Sequence, residues 1–433
     1  MLFNRIAREL PLETRSWPSG EKHNGWVVPE NWRVRHAEIR KDNTLVFDGT
    51  ASPLGVAAYS RSFAGTVDRD ELGRHLFFND TVPDAHMWHC AWLYRPWQQN
   101  WGFCPPARIA HALPVGDYDI ALETEFSPGE MQVAWHDKPG RSDEIVVFHS
   151  NTCHPHMAND GFAGTGVMIR LFQWLAGQDT HYTYRLLLGP EHIGTVFYLR
   201  DLPRAEVARM VCGVFGEMMG TPGPFVVGAT FEGDHLIDRA FRNVTRHAAK
   251  NPHYVPFRMT VGNDETVWEA PGYEVPFVQV NRANARNEPF PEYHSEFDTA
   301  ELMDEALLGE FLEVFKQVVD VLENNVRIYR KFDGLVALSN PQYDLYVNRI
   351  DPAVSDAARN ETSERWGYLQ DCIIRYFDGS MTVLDIAERH DLPFADMVDY
   401  LRTFEARGLV TLEHAALPAR ELRDHTMIGP DRR

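Results

Sequence analysis

The spacing of hydrophobic positions changes along the chain and divides it into stretches of different kind. Residues 1–25 read as a short amphipathic helix closed by the turn Pro18-Ser19-Gly20. From Trp26 to Lys138 short alternating runs are broken by Gly, Pro and Asn/Asp, which predicts strands at Trp32–Val34, Thr44–Phe47, Tyr118–Thr124 and Met131–Trp135. From about 140 to 340 the strands become wholly apolar and alternate with helical periodicity, the pattern of a mostly parallel sheet flanked by helices. Ile145–Phe148, Tyr184–Leu188, Pro224–Val227 and Val275–Val280 are its strands, and Val167, Met168, Leu171, Phe172 and Leu175 mark one face of a helix. Apolar residues from Leu307 to Leu322 recur at helical spacing in a long helix over 302–332. Pro341 and Pro352 flank a linker. Beyond it, helices begin near Arg365, Thr382 and Phe394, and Leu409–Leu412 reads as a strand, a winged-helix arrangement. The expected organisation is an α/β domain from 1–25 and 139–345, an inserted β-rich subdomain over 26–138, and a winged-helix domain over 355–433.

Composition narrows the class. Of 433 residues, 44% are hydrophobic and 24% charged, and the formal net charge of -20 comes without any Lys/Arg block. Phosphate binding needs clustered cations, so nucleic acid is excluded as a partner. The third helix of the tail points the same way, setting Asp396, Asp399 and Glu405 against Arg402 and Arg407. The 5 cysteines are odd in number and scattered, which indicates neither a disulfide framework nor a Cys-x-x-Cys zinc site. No apolar run reaches membrane-spanning length, and Met1–Leu12 is too charged for a signal peptide, so the expected compartment is the cytoplasm, with no membrane partner.

The chemistry-bearing residues follow the apolar strands. Ile145–Phe148 leads into a polar loop holding His154 and Asp160, and Asn159-Asp160 reads as the N-cap of the next helix. Tyr184–Leu188 is followed by Glu191-His192, Pro224–Val227 by Asp234, and Val275–Val280 by Arg282, Tyr293 and His294. Strand ends gathered at one sheet edge would bring His154, Asp160, Glu191, His192, Asp234 and His294 together, where open α/β sheets bind ligands. Imidazole and carboxylate are the donors that zinc prefers. Asp234 after Gly233 is equally readable as a turn residue. His149 and His156 read as structural, Cys153 as a small buried side chain. The aromatic cluster Trp88, Trp92, Tyr94, Trp97, Trp101 and Phe103 reads as cover for the join between subdomains, in preference to a ligand groove.

Four motifs carry a resemblance. Asn-Thr-Cys-His154-Pro-x-x-Ala-Asn-Asp160, Gly-Pro-Glu191-x-Ile-Gly, Gly-Asn-Asp264-Glu265 and Pro-Glu-Tyr-His294-Ser-x-x-Asp298 resemble a bacterial family of aminopeptidase-like proteins, with a domain of unknown function, a β-rich insertion containing Trp101-Gly-Phe-Cys104, and a C-terminal winged helix. That family falls in the zinc aminopeptidase and carboxypeptidase superfamily. The resemblance implies that His154 and His294 are metal ligands, that Asp160 bridges two metals, and that Glu191 is the general base. His192 stands where dinuclear members have a glutamate, and Asp234 is only a loose counterpart of a further metal aspartate. Asp264-Glu265 stands where relatives have Asp-His. One firmly held zinc is therefore expected, with a second site weaker, and His192 either replaces the glutamate as a ligand or faces the helix behind it.

The function expected is a zinc-dependent exopeptidase or amide hydrolase acting on a small peptide or amino-acid conjugate. Three ligands leave a position open for the attacking water, whose proton Glu191 takes. Tyr293 and Arg282 are the substrate-binding candidates; Arg282 is either an ion-pair partner or a fork for a substrate carboxylate, which would make the enzyme a carboxypeptidase. The rivals are another acyl chemistry on the same scaffold and an inactive scaffold whose winged helix binds a protein partner. Homo-oligomerisation through the winged helix or the inserted subdomain is a further expectation.

Overall fold

The computed structural model describes residues 2–90, 92–284, 286, 289–346 and 361–422. Pro352, and residues 355–360 and 423–433 of the expected C-terminal domain, lie outside the described residues.

An eight-stranded sheet runs through the centre in the order Glu13–Pro18, Glu130–Lys138, Thr183–Gly189, Ile145–Asn151, Met210–Gly216, Phe277–Arg282, Phe225–Gly228, Pro252–Val255. Its middle four strands are parallel. The sheet is mixed, because Glu130–Lys138 joins one side antiparallel to Thr183–Gly189 and Phe225–Gly228 joins the other antiparallel to Phe277–Arg282. Every residue of Ile145–Asn151 and Met210–Gly216 is buried, as expected of strands covered by helices on both faces.

Two of these strands lie where the sequence pattern predicts otherwise. The amphipathic helix near the N-terminus is only Leu2–Ile6, and Glu13–Pro18 pairs as an edge strand with Glu130–Lys138. That second strand, assigned by pattern to the insertion, belongs to the central sheet. A one-sided edge pair alternates like any antiparallel strand, so periodicity cannot say which sheet it joins. The insertion proper is a four-stranded antiparallel sheet ordered Thr44–Asp48, Asn31–Lys41, Asp117–Ser127, Phe63–Asp68.

The long helix is Glu305–Asn324, capped by Asp304, whose carboxylate accepts the Ala306 N–H at 2.8 Å. Phe311, Val314, Phe315, Val318, Val319 and Leu322 bury one face against the sheet, each worth about 2–3 kcal/mol. It ends at Asn324, and Val326–Arg330 turns into a strand that pairs with Asp378–Thr382 and Val410–His414. Helices Glu361–Cys372, Val383–His390 and Phe394–Ala406 complete this C-terminal unit. It is fastened to the helix Leu236–Ala248 of the sheet domain. Arg239 pairs with Asp385 (2.6 Å) and Glu388 (2.5 Å), and Asn243 bonds the Leu392 carbonyl and the Phe394 N–H, both at 3.0 Å.

Candidate metal centre

The loop after Ile145–Asn151 enters the next helix through a π-helical turn, Ala158–Phe162, and the α-helix proper starts at Ala163. Asp160 is therefore not an N-cap: its side chain makes no capping bond and is free to face the site. The turn depends on Gly161, whose φ of 127° is a left-handed conformation, and on Gly164, where a Cβ would lie 2.1 Å from the Gly216 carbonyl oxygen. Asp298 fixes the turn from outside. Its carboxylate accepts the Asn159 N–H at 2.7 Å and the Asp160 N–H at 3.0 Å.

His154, Asp160 and His294 converge, with ligating atoms all within 4.8 Å of one another. The Nε2 atoms of both histidines lie 3.2 Å from one oxygen, Asp160 Oδ2. His154 and Asp160 are shielded from solvent, at 4% and 6% side-chain exposure. The proton inventory makes this arrangement specific. His154 Nδ1 is 2.9 Å from the Pro155 carbonyl oxygen, which can only accept, so Nδ1 carries the hydrogen. In the neutral ring Nε2 then presents a lone pair to a carboxylate oxygen. Two acceptors that close need a cation between them, either a proton or a metal ion. Around zinc with bonds of about 2.0–2.1 Å, tetrahedral ligands stand about 3.3 Å apart, so the donor set fits that ion.

Burial pushes the Asp160 carboxyl up, but hydrogen bonds from His154 and His294 and their positive charge outweigh it and hold it well below the usual carboxylate range. Burial lowers His154, and the bond to Asp160 together with its charge reverses this into a net rise. Glu191 follows the strand Thr183–Gly189 and is pushed up, by burial first and by the charges of Asp264 and Asp160, against a lowering by His192. Aromatic rings clamp the histidines: Trp88 stacks on His154 at 5.3 Å and Tyr293 on His294 at 3.9 Å.

Other expected site residues are placed elsewhere. Asp234 is on the wrong side of the sheet. Its strand, Phe225–Gly228, runs antiparallel to Phe277–Arg282, so its loop emerges at the opposite edge; Asp234 is 81% exposed and pairs with Arg242 at 2.7 Å. Arg282 is 3% exposed, donates to the Gly223 carbonyl at 2.7 Å and pairs with Glu310, so its guanidinium is committed to packing and offers no fork to a substrate. His192 stands outside the three-donor group. With φ of 55° it turns toward Asp264, which accepts its backbone N–H at 3.0 Å and lies 3.7 Å from its Nδ1. His149 is a core residue whose Nδ1 accepts the Trp268 indole N–H at 3.1 Å.

Glu217 is a buried carboxylate that the sequence pattern does not single out. It follows Met210–Gly216, a central strand of the right direction, and is fully buried. Three amide side chains hold its carboxylate, Asn263 and Gln279 at 3.0 Å and Asn151 at 3.2 Å. The readable signal is the apolar run Met210-Val-Cys-Gly-Val-Phe-Gly216 ending on a carboxylate. Trp88 reads in the sequence only as cover between subdomains. In the structure the inserted subdomain reaches the candidate metal centre directly: the Trp88 backbone N–H donates to the His294 carbonyl at 2.6 Å, Met87 bridges Ser295, and His86 pairs with Glu296 at 2.7 Å.

The family model described as a domain of unknown function, DUF4910, matches residues 2–325. The chain belongs to that family. A Clostridium acetobutylicum protein, provisionally named for polysaccharide biosynthesis and an aminopeptidase-like domain, is 26% identical over 392 residues, 90% of this chain and 86% of its own. A crystal structure from C. acetobutylicum, provisionally named a peptidase, superposes with TM-score 0.76 at 22% identity, covering 95% of this chain and 90% of that one. A zinc aminopeptidase of Bacillus subtilis superposes with TM-score 0.55 at 12% identity over 73% of this chain and 86% of its own. The DUF4910 chain thus has the fold of zinc aminopeptidases. No helix among the described residues is long and apolar enough to cross a membrane.

Proposed function

We propose that this DUF4910 protein is a zinc-dependent amide hydrolase acting on a small peptide or an amino-acid conjugate. The observation that carries the reading is the pair of imidazole nitrogens aimed at one buried carboxylate oxygen, 3.2 Å from each, with a raised Glu191 within electrostatic reach. His154, Asp160 and His294 would hold the ion. When bound, zinc supplies a water acidified to a pKa of about 7 and a Lewis acid for the scissile carbonyl.

The protein's own groups supply the rest. Glu191, pushed up by burial, is suited to take the water's proton and pass it to the leaving amine. Burial and the neighbouring carboxylates Asp160, Glu217 and Glu191 keep the Tyr293 hydroxyl protonated, so it remains a donor for the developing oxyanion. Trp88, lying across His154, excludes water from that side. Glu217 is already engaged by three amides, and His192 stands outside the three-donor group, which supports one firmly held zinc and a weaker second site.

Metal analysis and kinetics test this. The purified protein should hold at least about one zinc per chain, and Glu191→Gln should keep the zinc while turnover of aminoacyl p-nitroanilides falls roughly 10²–10⁴-fold. Loss of zinc from Glu191→Gln would make Glu191 a ligand and remove it as the base. A protein that takes up no zinc would end the reading.

A further inference from the structure

Next to the metal centre lies a cavity of about 340 Å³, walled jointly by the N-terminal helix, the start of the inserted subdomain and the first residues of Glu130–Lys138. That is the size of a pocket for a small ligand. Part of its wall is formed by Cys153 and Pro190, the chain neighbours of His154 and Glu191. The loops that carry His154 and Glu191 therefore share this wall. Tyr94 lines the same cavity and lies within electrostatic reach of Glu191. Phe3, Leu93, Met131 and Ile193 make its apolar body. At the exposed rim stand Glu30 and Glu130, and among the described residues neither carboxylate has an ion-pair partner.

A cavity walled by these loops, with four apolar side chains and two exposed carboxylates that have no ion-pair partner among the described residues, has a definite complement. A neutral aliphatic chain would fill the body and leave both anions without a countercharge. A chain with a cationic tip buries its stem and brings the charge to the rim, as lysine and arginine side chains do on protein surfaces. We propose that this cavity is a substrate subsite for an aliphatic chain ending in an ammonium or guanidinium group, with Glu30 and Glu130 as its specificity determinants. That the chain extends from the bond being cleaved rests on the hydrolase reading above; the recognition of the chain does not.

The test therefore separates binding from turnover. The full-length zinc-loaded protein is titrated calorimetrically with 6-aminohexanamide and with hexanamide, which has the same chain without the amine. The amine should bind about five- to tenfold more tightly at about 50 mM salt, and the preference should vanish at about 500 mM. Glu30→Gln with Glu130→Gln should abolish the preference and leave hexanamide unchanged, the single variants serving if the double one does not fold. Leu93→Trp, which fills the apolar body, should weaken both amides. Equal affinity for the two amides, absence of amine binding, or a preference that survives the glutamine variants overturns the proposal. Lysine and norleucine p-nitroanilides are then compared for hydrolysis. Discriminating binding with neither substrate cleaved leaves the subsite standing and counts against the hydrolase; cleavage of both without discrimination does the reverse.

Discussion

Asp298→Asn tests whether the proposed metal centre depends on a single carboxylate behind it. Both Asp298 oxygens are used, one by the Asn159 N–H at 2.7 Å and the other by the Asp160 N–H at 3.0 Å. Asparagine keeps the shape but has one acceptor oxygen, so its NH₂ must face one of the two backbone N–H groups. One buried donor then loses its partner and meets another donor, at a cost of about 1–3 kcal/mol. The far half of the turn should survive, because Asn159 is held separately through Gly220 N–H at 2.8 Å and Thr221 Oγ1 at 3.0 Å. The strain falls on Asp160, the residue both histidines face. A penalty of that size expressed in metal binding is a loss of roughly 5- to 150-fold in zinc affinity, the range typical of groups that orient ligands. Competition with a chromophoric chelator measures it, and a thermal melt of the metal-free variant shows whether the fold is retained. Zinc affinity within about twofold of the parent, with an unchanged melt, would refute the argument.

Glu269 is held at a pKa of about 7 by burial, against an ordinary value of 4.5, although its Oε1 accepts the Phe231 and Phe277 N–H groups at 2.9 and 3.0 Å. Between those two values the folded state binds more protons than the unfolded one, so this group makes stability fall as pH rises from about 4.5 to 7. Glu269→Gln keeps an oxygen for both bonds and removes the charge; melting curves against pH should show equal stability near about pH 4 and a gain on the order of 2 kcal/mol at about pH 8, and parallel curves would exclude the mechanism. The full-length protein should not retard duplex DNA at physiological salt, because the helix Phe394–Ala406 carries acidic residues and its first N–H is tied to Asn243; salt-sensitive retardation would contradict this.

Much of the site is legible from local order. A buried strand reads as an unbroken apolar run, and the residues just past it are delivered to one edge whenever the strand is parallel. That logic gathers His154, Asp160, Glu191, His192, Asp234 and His294 from the sequence alone, and the structure brings His154, Asp160 and His294 of these within 4.8 Å of one another. The same logic fails at Asp234, because hydrophobicity records that a strand is buried and not which way it runs. Phe225–Gly228 enters antiparallel, and its acidic loop leaves from the far side. Side-chain direction is also beyond the sequence. His192 and Arg282 sit beside the site in the chain, yet a left-handed backbone turns one toward Asp264 and a half-buried Glu310 claims the other. Contacts between stretches far apart in the chain are decided by packing alone. Trp88 over His154 and Asp298 beneath Asp160 join residues 66 and 138 positions distant in the sequence. Local propensity and periodicity extend over a few turns of chain, and such pairings exist only once the sheet has set the distances between its loops.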